Sequence, residues 1–492
     1  MRRRAGKGAL ASFLSACLLV ISGTAAAATS AAKPEVVPND PGYANPQSYQ
    51  QVDLPAAWYA TLGSSAVTVA VVDGGAVQLP DLASPRLLAG YNAIDGSSNV
   101  ADEFGHGIGI TATIGAGIND GLGVPGVCPQ CSILPVKVTT NNVGTNDVLA
   151  RGINWTTAHG PQIINLSLGY NTDPSVDEAA TAALNSGITV VIGAGNRGSS
   201  DPSANRLASD SPHAIRVAGV DANNQLDSHS DYGASWVDIA APWCNPVEDS
   251  QGRVGAGCGT SGATAVVSGT VGLLKSFRPS LTSAEIKSIL MSTGTKVPGL
   301  AVACGCVLNA YQALIAVGYV PPKQIAVSVI GDGSGTVQDG TPNMDCDDHC
   351  VEWLPVGSQL TLTAKPEKWS VFAGWNGNGC LGTNPVCALT VSGDISVTAS
   401  FAPRMVSLSV HKRGLGTITG GGIKCGRRCA AKLAAGTEIA LKAQARPGWK
   451  FAGWSGACRG RKPVCRLALA KNVVVEAAFS KSKPRTLTRG SW

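Results

Sequence analysis

The chain has 492 residues, 44% of them hydrophobic and 14% charged, with 15 cysteines and a formal net charge of +6. This length and apolar content exclude a small disulfide knot and a disordered polyelectrolyte, and leave room for more than one domain. The net charge conceals an asymmetry: residues 28–318 carry 12 basic against 22 acidic side chains (−10), residues 319–403 carry 3 against 8 (−5), and residues 404–492 carry 19 against 2 (+17).

Met1-Arg2-Arg3-Arg4 with Lys7 opens the chain, an apolar stretch runs from Ala9 to Gly23, and Ala25 to Ala28 offers small residues for cleavage. Residues 1–28 therefore read as a secretory signal peptide, and Leu14-Ser15-Ala16-Cys17 also has the form of a lipoprotein box. Later stretches lack the length and apolarity of a membrane span, so a soluble, monomeric, extracellular product of a bacterial export route is expected. Beyond Cys17 fourteen cysteines remain, an even number that in an exported chain points to disulfides. Cys128-Pro129-Gln130-Cys131 has zinc-like spacing, but no second pair with histidine follows it.

After a short extension at 29–48 the pattern becomes that of an α/β domain over 49–318. Val67 to Val72 is a continuous apolar run, as expected of a buried parallel strand, and Asp73 stands at its carboxyl end, where open α/β sheets gather their chemistry. Asp73 could equally cap the Gly74-Gly75 turn. Gly105-His106-Gly107 opens a small-residue segment, Ile108 to Ala116, of helical character. Strands are expected at Ile133–Val138, Ile163–Leu168, Thr189–Ile192 and Ile215–Val220, with helices at Asp147–His159 and Ser175–Ser186 between them. Alternation of this kind implies a mostly parallel sheet with helices on both faces.

Ser167-Leu168-Gly169 and Ala194-Gly195-Asn196 end neighbouring strands, where glycines admit a substrate backbone and Asn196 offers a side-chain N–H. Taken alone, Asn196 reads first as a turn asparagine. Gly257-Cys258-Gly259-Thr260-Ser261-Gly262-Ala263-Thr264 leads into the apolar run Ala265 to Phe277. A serine there stands at the first turn of a buried helix, beside unpaired backbone N–H groups that suit an attacking hydroxyl; a glycine-rich turn before a core helix is the plainer reading. Helices at Ser283–Ser292 and Leu308–Val317 complete the domain.

After Pro321-Pro322 the composition turns to alternating Val, Ile and Thr, and the chain repeats itself. Cys346, Cys350, Trp375, Cys380 and Cys387 recur as Cys425, Cys429, Trp454, Cys458 and Cys465, and Phe372-Ala373-Gly374-Trp375 as Phe451-Ala452-Gly453-Trp454. Two small all-β repeats, 319–403 and 404–480, each braced by two disulfides of open connectivity, are followed by a basic tail at 481–492. Lys424, Arg427, Arg428, Arg459, Arg461, Lys462 and Arg466 surround the cysteines of the second repeat, and are expected to form one patch that either attracts an anionic cell-envelope polymer or serves solubility and docking onto the acidic first domain.

On these residues, 39–318 resembles the subtilisin-like serine peptidases. Val69-Ala70-Val71-Val72-Asp73-Gly74-Gly75 is similar to the family's aspartate motif, Gly105-His106-Gly107 to its histidine motif and Gly259-Thr260-Ser261 with Ala263 to its serine motif, in the order Asp, His, Ser. The chain departs from the family's usual residues at Gly74, Ile108, Gly109, Gly262 and Ala265. The resemblance implies a secreted endopeptidase acting on polypeptides: Ser261 as nucleophile, His106 as general base, Asp73 orienting His106, and Asn196 with the Ser261 N–H binding the oxyanion. Ser167, Leu168, Gly169, Ala194 and Gly195 would bind substrate. The resemblance also implies a structural calcium ion near Asp40, Asp81 and Asp120, three residues that are otherwise unrelated surface acids, and no organic cofactor. Residues 325–402 and 405–479 resemble the divergent β-repeats of exported bacterial proteins, related to internalin B-repeats. The competing reading is a catalytically impaired scaffold that serves as a binding or adhesion protein. Pairing of Cys244 with Cys258 and of Cys128 with Cys131 is expected; Cys304 and Cys306 are expected to be oxidised.

Overall fold

The computed structural model describes residues 33–169, 173–205, 213–340 and 344–482, so the signal peptide expected at 1–28 and most of the basic tail lie outside the described residues. The first fold is organised by continuous apolar strands: β1 (Thr68–Asp73), β2 (Tyr91–Asn92), β3 (Ser132–Lys137), β4 (Ile163–Leu166), β5 (Thr189–Gly193), β6 (Ile215–Val220) and β7 (Ile239–Pro242). β3 to β7 are buried at every residue, which only a sheet covered on both sides allows. A hairpin of β8 (Cys244–Glu248) and β9 (Val254–Cys258) stands apart as its own two-stranded sheet, while β10 (Thr295–Lys296) and β11 (Cys306–Val307) extend the main one.

The main sheet runs β10-β11-β7-β6-β5-β4-β1-β3-β2, parallel except between β10 and β11. From β1 the chain builds outward to β3 and β2 on one side and to β4 through β7 on the other. The connections after β1 and β4 therefore diverge and leave a crevice outside their carboxyl ends.

The helices are α1 (Gln47–Gln51), α2 (Leu54–Ala60), α3 (His106–Gly115), α4 (Asn146–Ala158), α5 (Pro174–Asn185), α6 (Thr260–Phe277), α7 (Ser283–Thr293) and α8 (Ala310–Ala316). α6 is buried from Gly262 through Lys275, and its small residues let neighbours approach. A Cβ on Gly269 would come within 2.5 Å of Val127 Cβ, and one on Gly272 within 2.9 Å of Cys131 Sγ. α7 starts with a capping box in which Thr282 and Glu285 satisfy each other's backbone N–H groups. α3 begins at His106, earlier than the sequence pattern indicated, and α6 begins at Thr260 with Ser261 in its first turn, because the glycines ahead of them supply the left-handed turn (Gly105, φ 93°) and open backbone (Gly259, φ 146°) that precede a helix start. β4 ends at Leu166, so Ser167 to Gly169 continues past the sheet instead of belonging to it.

The two repeats share one architecture. The first comprises β12 (Lys323–Ile330), β13 (Gly335–Gln338), β14 (Asp345–Cys346), β15 (His349–Leu354), β16 (Gln359–Pro366), β17 (Ser370–Gly377), β18 (Val386–Thr390) and β19 (Ile395–Pro403). The second comprises β20 (Met405–Arg413), β21 (Gly416–Gly420), β22 (Ile423–Cys425), β23 (Ala430–Ala434), β24 (Glu438–Ala445), β25 (Trp449–Gly456), β26 (Val464–Ala468) and β27 (Val473–Lys481). Each forms two four-stranded sheets, β15-β12-β19-β17 with β14-β13-β16-β18, and β23-β20-β27-β25 with β22-β21-β24-β26. Alternating burial along each strand supplies the core, closed by the ring sets Phe372, Trp375, Phe401 and Phe451, Trp454, Phe479. The disulfides are local: Cys346–Cys350 and Cys380–Cys387, then Cys425–Cys429 and Cys458–Cys465. In the peptidase-like fold Cys128–Cys131, Cys244–Cys258 and Cys304–Cys306 are paired. Among the described residues no helix is long and apolar enough to cross a membrane.

Candidate active site

Asp73 is the last residue of β1 and is fully buried, with Gly74 N donating to its Oδ1 at 2.7 Å. His106, the first residue of α3, places Nδ1 2.8 Å from the same Oδ1, while a quarter of its side chain stays exposed. The helix is docked by contact: a Cβ on Gly107 would lie 2.3 Å from Gly75 O, so glycine is required for α3 to lie against the turn after β1. Asp102 finishes the arrangement by accepting from Phe104 N at 3.0 Å and Ile108 N at 3.0 Å. Burial pushes the His106 pKa down, but the charge and hydrogen bond of Asp73, with a smaller contribution from the charge of Asp102, outweigh it and leave the imidazole above its ordinary value. A histidine so held has its tautomer fixed, with Nε2 left to the cleft.

Ser261 lies in the first turn of α6, where backbone N–H groups have no intrahelical acceptor. Its Oγ donates to Ser167 O at 3.1 Å, and Ser167 Oγ donates back to Ser261 O at 3.0 Å, so α6 and the extension of β4 are tied together. In this state the hydroxyl is bonded to Ser167 and not to His106. Asn196 follows β5, and its Oδ1 accepts from Thr260 N at 2.9 Å and Thr260 Oγ1 at 2.8 Å. With the carbonyl end thus committed, the Nδ2 end of the amide is the one left to donate.

His106, Ser261, Asn196, Ser167, Leu168, Gly169 and Gly195 line one cleft of about 770 Å³. Ala194 does not join them: it is fully buried and its N–H donates to Val217 O at 2.8 Å, because it still pairs with the next strand. Thr260, Asp102 and Asp231 also shape the site: Thr260 is legible in the sequence as the hydroxyl beside Ser261, Asp102 acts on Phe104 and Ile108 nearby, and Asp231 takes its place only from neighbours distant in the chain.

Asp40, Asp81 and Asp120 gather around the loop 117–124. Asp40 accepts from Asn119 N at 2.9 Å and Asp120 N at 3.2 Å, and Gly117 N donates to Asp81 O at 3.1 Å. The carboxylate of Asp81 is set against Glu248, a residue distant in the sequence; both Asp81 oxygens and Glu248 Oε2 are buried without a partner, while Glu248 Oε1 accepts from Val124 N at 2.6 Å. Burial, reinforced by Asp81, pushes Glu248 up to about 8. Among the described residues no group of three such side chains is arranged to hold a metal ion by itself.

The basic residues of the second repeat occupy two places, not one. Lys424 lies on β22, one edge of the sheet β22-β21-β24-β26, with Arg427 and Arg428 in the turn after it, and Arg466 lies on β26, the other edge, with Arg459, Arg461 and Lys462 in the connection before it, because each disulfide closes within its own strand connection. The exposed Lys442 on β24 stands between them, in register with Thr419, which pairs with Lys424.

Residues 64–306 match the model of the Subtilase family, and residues 325–404 and 406–483 each match the divergent InlB B-repeat domain. Thermitase of Thermoactinomyces vulgaris is 35% identical over 285 residues, covering 56% of this chain and 99% of the relative. Subtilisin BL of Lederbergia lenta is 34% identical over 256 residues, 51% of this chain and 92% of the relative. A solved protease from Pseudoalteromonas arctica PAMC 21717 superimposes with a TM-score of 0.50 at 26% identity, covering 57% of this chain and 100% of that one. With a crevice at the carboxyl ends of a parallel sheet and relatives covered almost end to end, the chain belongs to the subtilase family and is a serine endopeptidase.

Proposed function

We propose that this chain is an exported peptidase that cleaves polypeptides through Asp73, His106 and Ser261. The Ser261 hydroxyl turns from Ser167 O toward His106 Nε2 and attacks the scissile carbonyl. His106 takes its proton and returns it to the leaving amine as the C–N bond breaks; water, deprotonated by His106, then attacks the acyl carbonyl, and His106 hands that proton to Ser261 Oγ as the ester C–O bond breaks. Asp73 holds the ring and stabilises the imidazolium. The oxyanion is met by Asn196 Nδ2 and the Ser261 N–H, donors in place before charge develops. Ser167 to Gly169 and Gly195 flank the extended substrate backbone.

The observation that carries this reading is the 2.8 Å Asp73–His106 contact opening on the same cleft as Ser261 and Asn196. The rival, an impaired scaffold, draws support from the bond of Ser261 Oγ to Ser167 O, although such hydrogen bonds often rearrange when substrate enters. A fluorophosphonate probe separates the two. It should label the wild type and leave Ser261→Ala unlabelled and folded; a wild type that resists the probe, or equal labelling of both proteins, overturns the triad.

A structural calcium ion at the loop 117–124 belongs to the same proposal. The all-oxygen donor set and the unpartnered oxygens of Asp81 and Glu248 suit a hard cation, with Asp40 and Asp120 alongside and backbone carbonyls completing the shell. The ion would stabilise that loop and takes no part in the chemistry. The second repeat, far more basic than the first, is proposed to bind an anionic envelope polymer, and the chain to act as a monomer without an organic cofactor.

A further inference from the structure

The turn that carries Asn196 is held by a side chain from a different part of the fold. Residues 195–199 follow β5 without joining a helix or strand, and the backbone is left-handed at Gly195 (φ 120°) and Gly198 (φ 67°). Amides in such a turn have no ladder to satisfy them and must find acceptors elsewhere. They find them in residues 229–232. Arg197 N and Ser199 N both donate to Asp231 Oδ1, at 2.9 and 2.8 Å, and Gly198 N donates to His229 O at 2.7 Å. In return Asp231 N donates to Gly195 O at 2.8 Å and Tyr232 N to Ser199 O at 2.9 Å.

Asp231 is fully buried, and its Oδ2 is without a hydrogen-bond partner. That oxygen lies so near Gly195 that a Cβ there would come within 2.2 Å of it. Keeping a carboxylate in such a place is costly, and the return is a charge-assisted acceptor, about twice as strong as a neutral one, aimed at two N–H groups of a single turn. Its contacts fall on both sides of Asn196, at Gly195 and at Arg197. The Asn196 side chain is turned by Thr260, while its backbone lies between the contacts that Asp231 makes.

We propose that Asp231 is a positioning residue for the oxyanion donor, acting through Asn196 and touching neither substrate nor the reacting atoms. The inference rests on the reading of Asn196 as that donor. Its effect belongs to the transition state, where the amide must lie within hydrogen-bond distance of the developing charge, and not to ground-state binding.

The test is a double-mutant cycle in the full chain with a fluorogenic peptide substrate, using Asn196→Ala, Asp231→Ala and the double variant, with Asp231→Asn as the conservative change. Asp231→Ala should lower kcat about tenfold or more, a share of what losing the donor itself costs, and leave KM within about twofold. On the Asn196→Ala background the same change should matter little, because nothing remains to position. Asp231→Asn, which keeps an acceptor oxygen at Oδ1, should recover most of the lost kcat. An equal loss on both backgrounds, or an Asn variant no better than Ala, overturns the proposal. If Asp231→Ala does not fold, Asp231→Ser, too short to reach both amides, takes its place in the cycle. If Asn196→Ala leaves kcat intact, it is the oxyanion reading that fails, and this inference falls with it.

Discussion

Two residues decide how the site responds to pH and to the loss of a donor. The His106 pKa is raised, chiefly because the Asp73 charge and hydrogen bond outweigh burial, and only the neutral imidazole can accept the Ser261 proton. Activity should therefore fall on the acid side through a pKa above the ordinary histidine value, where His106 becomes protonated. Asp102 adds to the elevation, so Asp102→Asn should move the acid limb of kcat/KM to lower pH; a limb that stays or moves up refutes the assignment. Asn196→Ala should lower kcat about 10²–10³-fold, as removal of the corresponding donor does in a subtilisin, with little change in substrate binding. Steady-state kinetics on one peptide substrate reads both outcomes.

At the scale of elements, α6 depends on what leads into it. β8 and β9 pair from Cys244↔Cys258 to Glu248↔Val254, and the disulfide closes this hairpin three residues before Ser261. Replacing both cysteines with serine should cost about 3 kcal/mol, the chain-entropy value for a loop of about fifteen residues, read as a lower urea midpoint. In α6 itself, Gly269→Ala would gain about 1 kcal/mol of helix propensity but force a Cβ to within 2.5 Å of Val127. Overpacking of that kind costs about 1–3 kcal/mol, so the net change should be destabilising in the same denaturation experiment. The loop 117–124 offers a further check. Chelation should lower the melting temperature of the wild type, by mass action on the folded state, and lower it less in Glu248→Gln.

Over the whole molecule, the joint between the repeats is built on one side chain. Trp369 has a left-handed backbone (φ 73°) where the second repeat has Gly448 (φ 80°), and its ring packs against the second repeat's core and close to Gly436. Lys368 Nζ and Arg404 lie over that ring at 4.9 and 5.3 Å, and Arg404 N donates to Trp369 O at 2.7 Å. A tryptophan in a conformation that favours glycine is strained, and the burial it gains against the neighbouring module offsets that strain. Trp369→Ala, in an inactive Ser261→Ala background, should open the connection at Pro403–Met405 to an added protease while each repeat stays folded. The charge of the second repeat gives a separate test. Full chain carrying Lys424→Glu, Arg428→Glu and Arg466→Glu should elute from an anionic polymer at lower salt than wild type; unchanged elution means that this sheet is not the contact.

By itself the sequence determined whatever is encoded in neighbouring residues. Continuous apolar runs between glycines specified parallel strands, Asp73, Gly105-His106-Gly107 and Gly259-Thr260-Ser261 specified a site at strand ends and helix starts, and cysteines at constant offsets specified two copies of one module. Short-range chemistry of this kind survives in a linear string because backbone conformation, capping and loop closure act over a few residues. Only the tertiary structure decided the rest. It showed that Ala194 is buried, with its N–H still bonded to the next strand, and does not line the cleft, since the reach of the sheet is set by pairing between distant segments. It placed Glu248 against Asp81 and Asp231 against the Asn196 turn, contacts between segments dozens of residues apart or more, which no local pattern records. It also divided the basic residues of the second repeat between two sheet edges, because the disulfides that anchor them close locally on strands that are not neighbours.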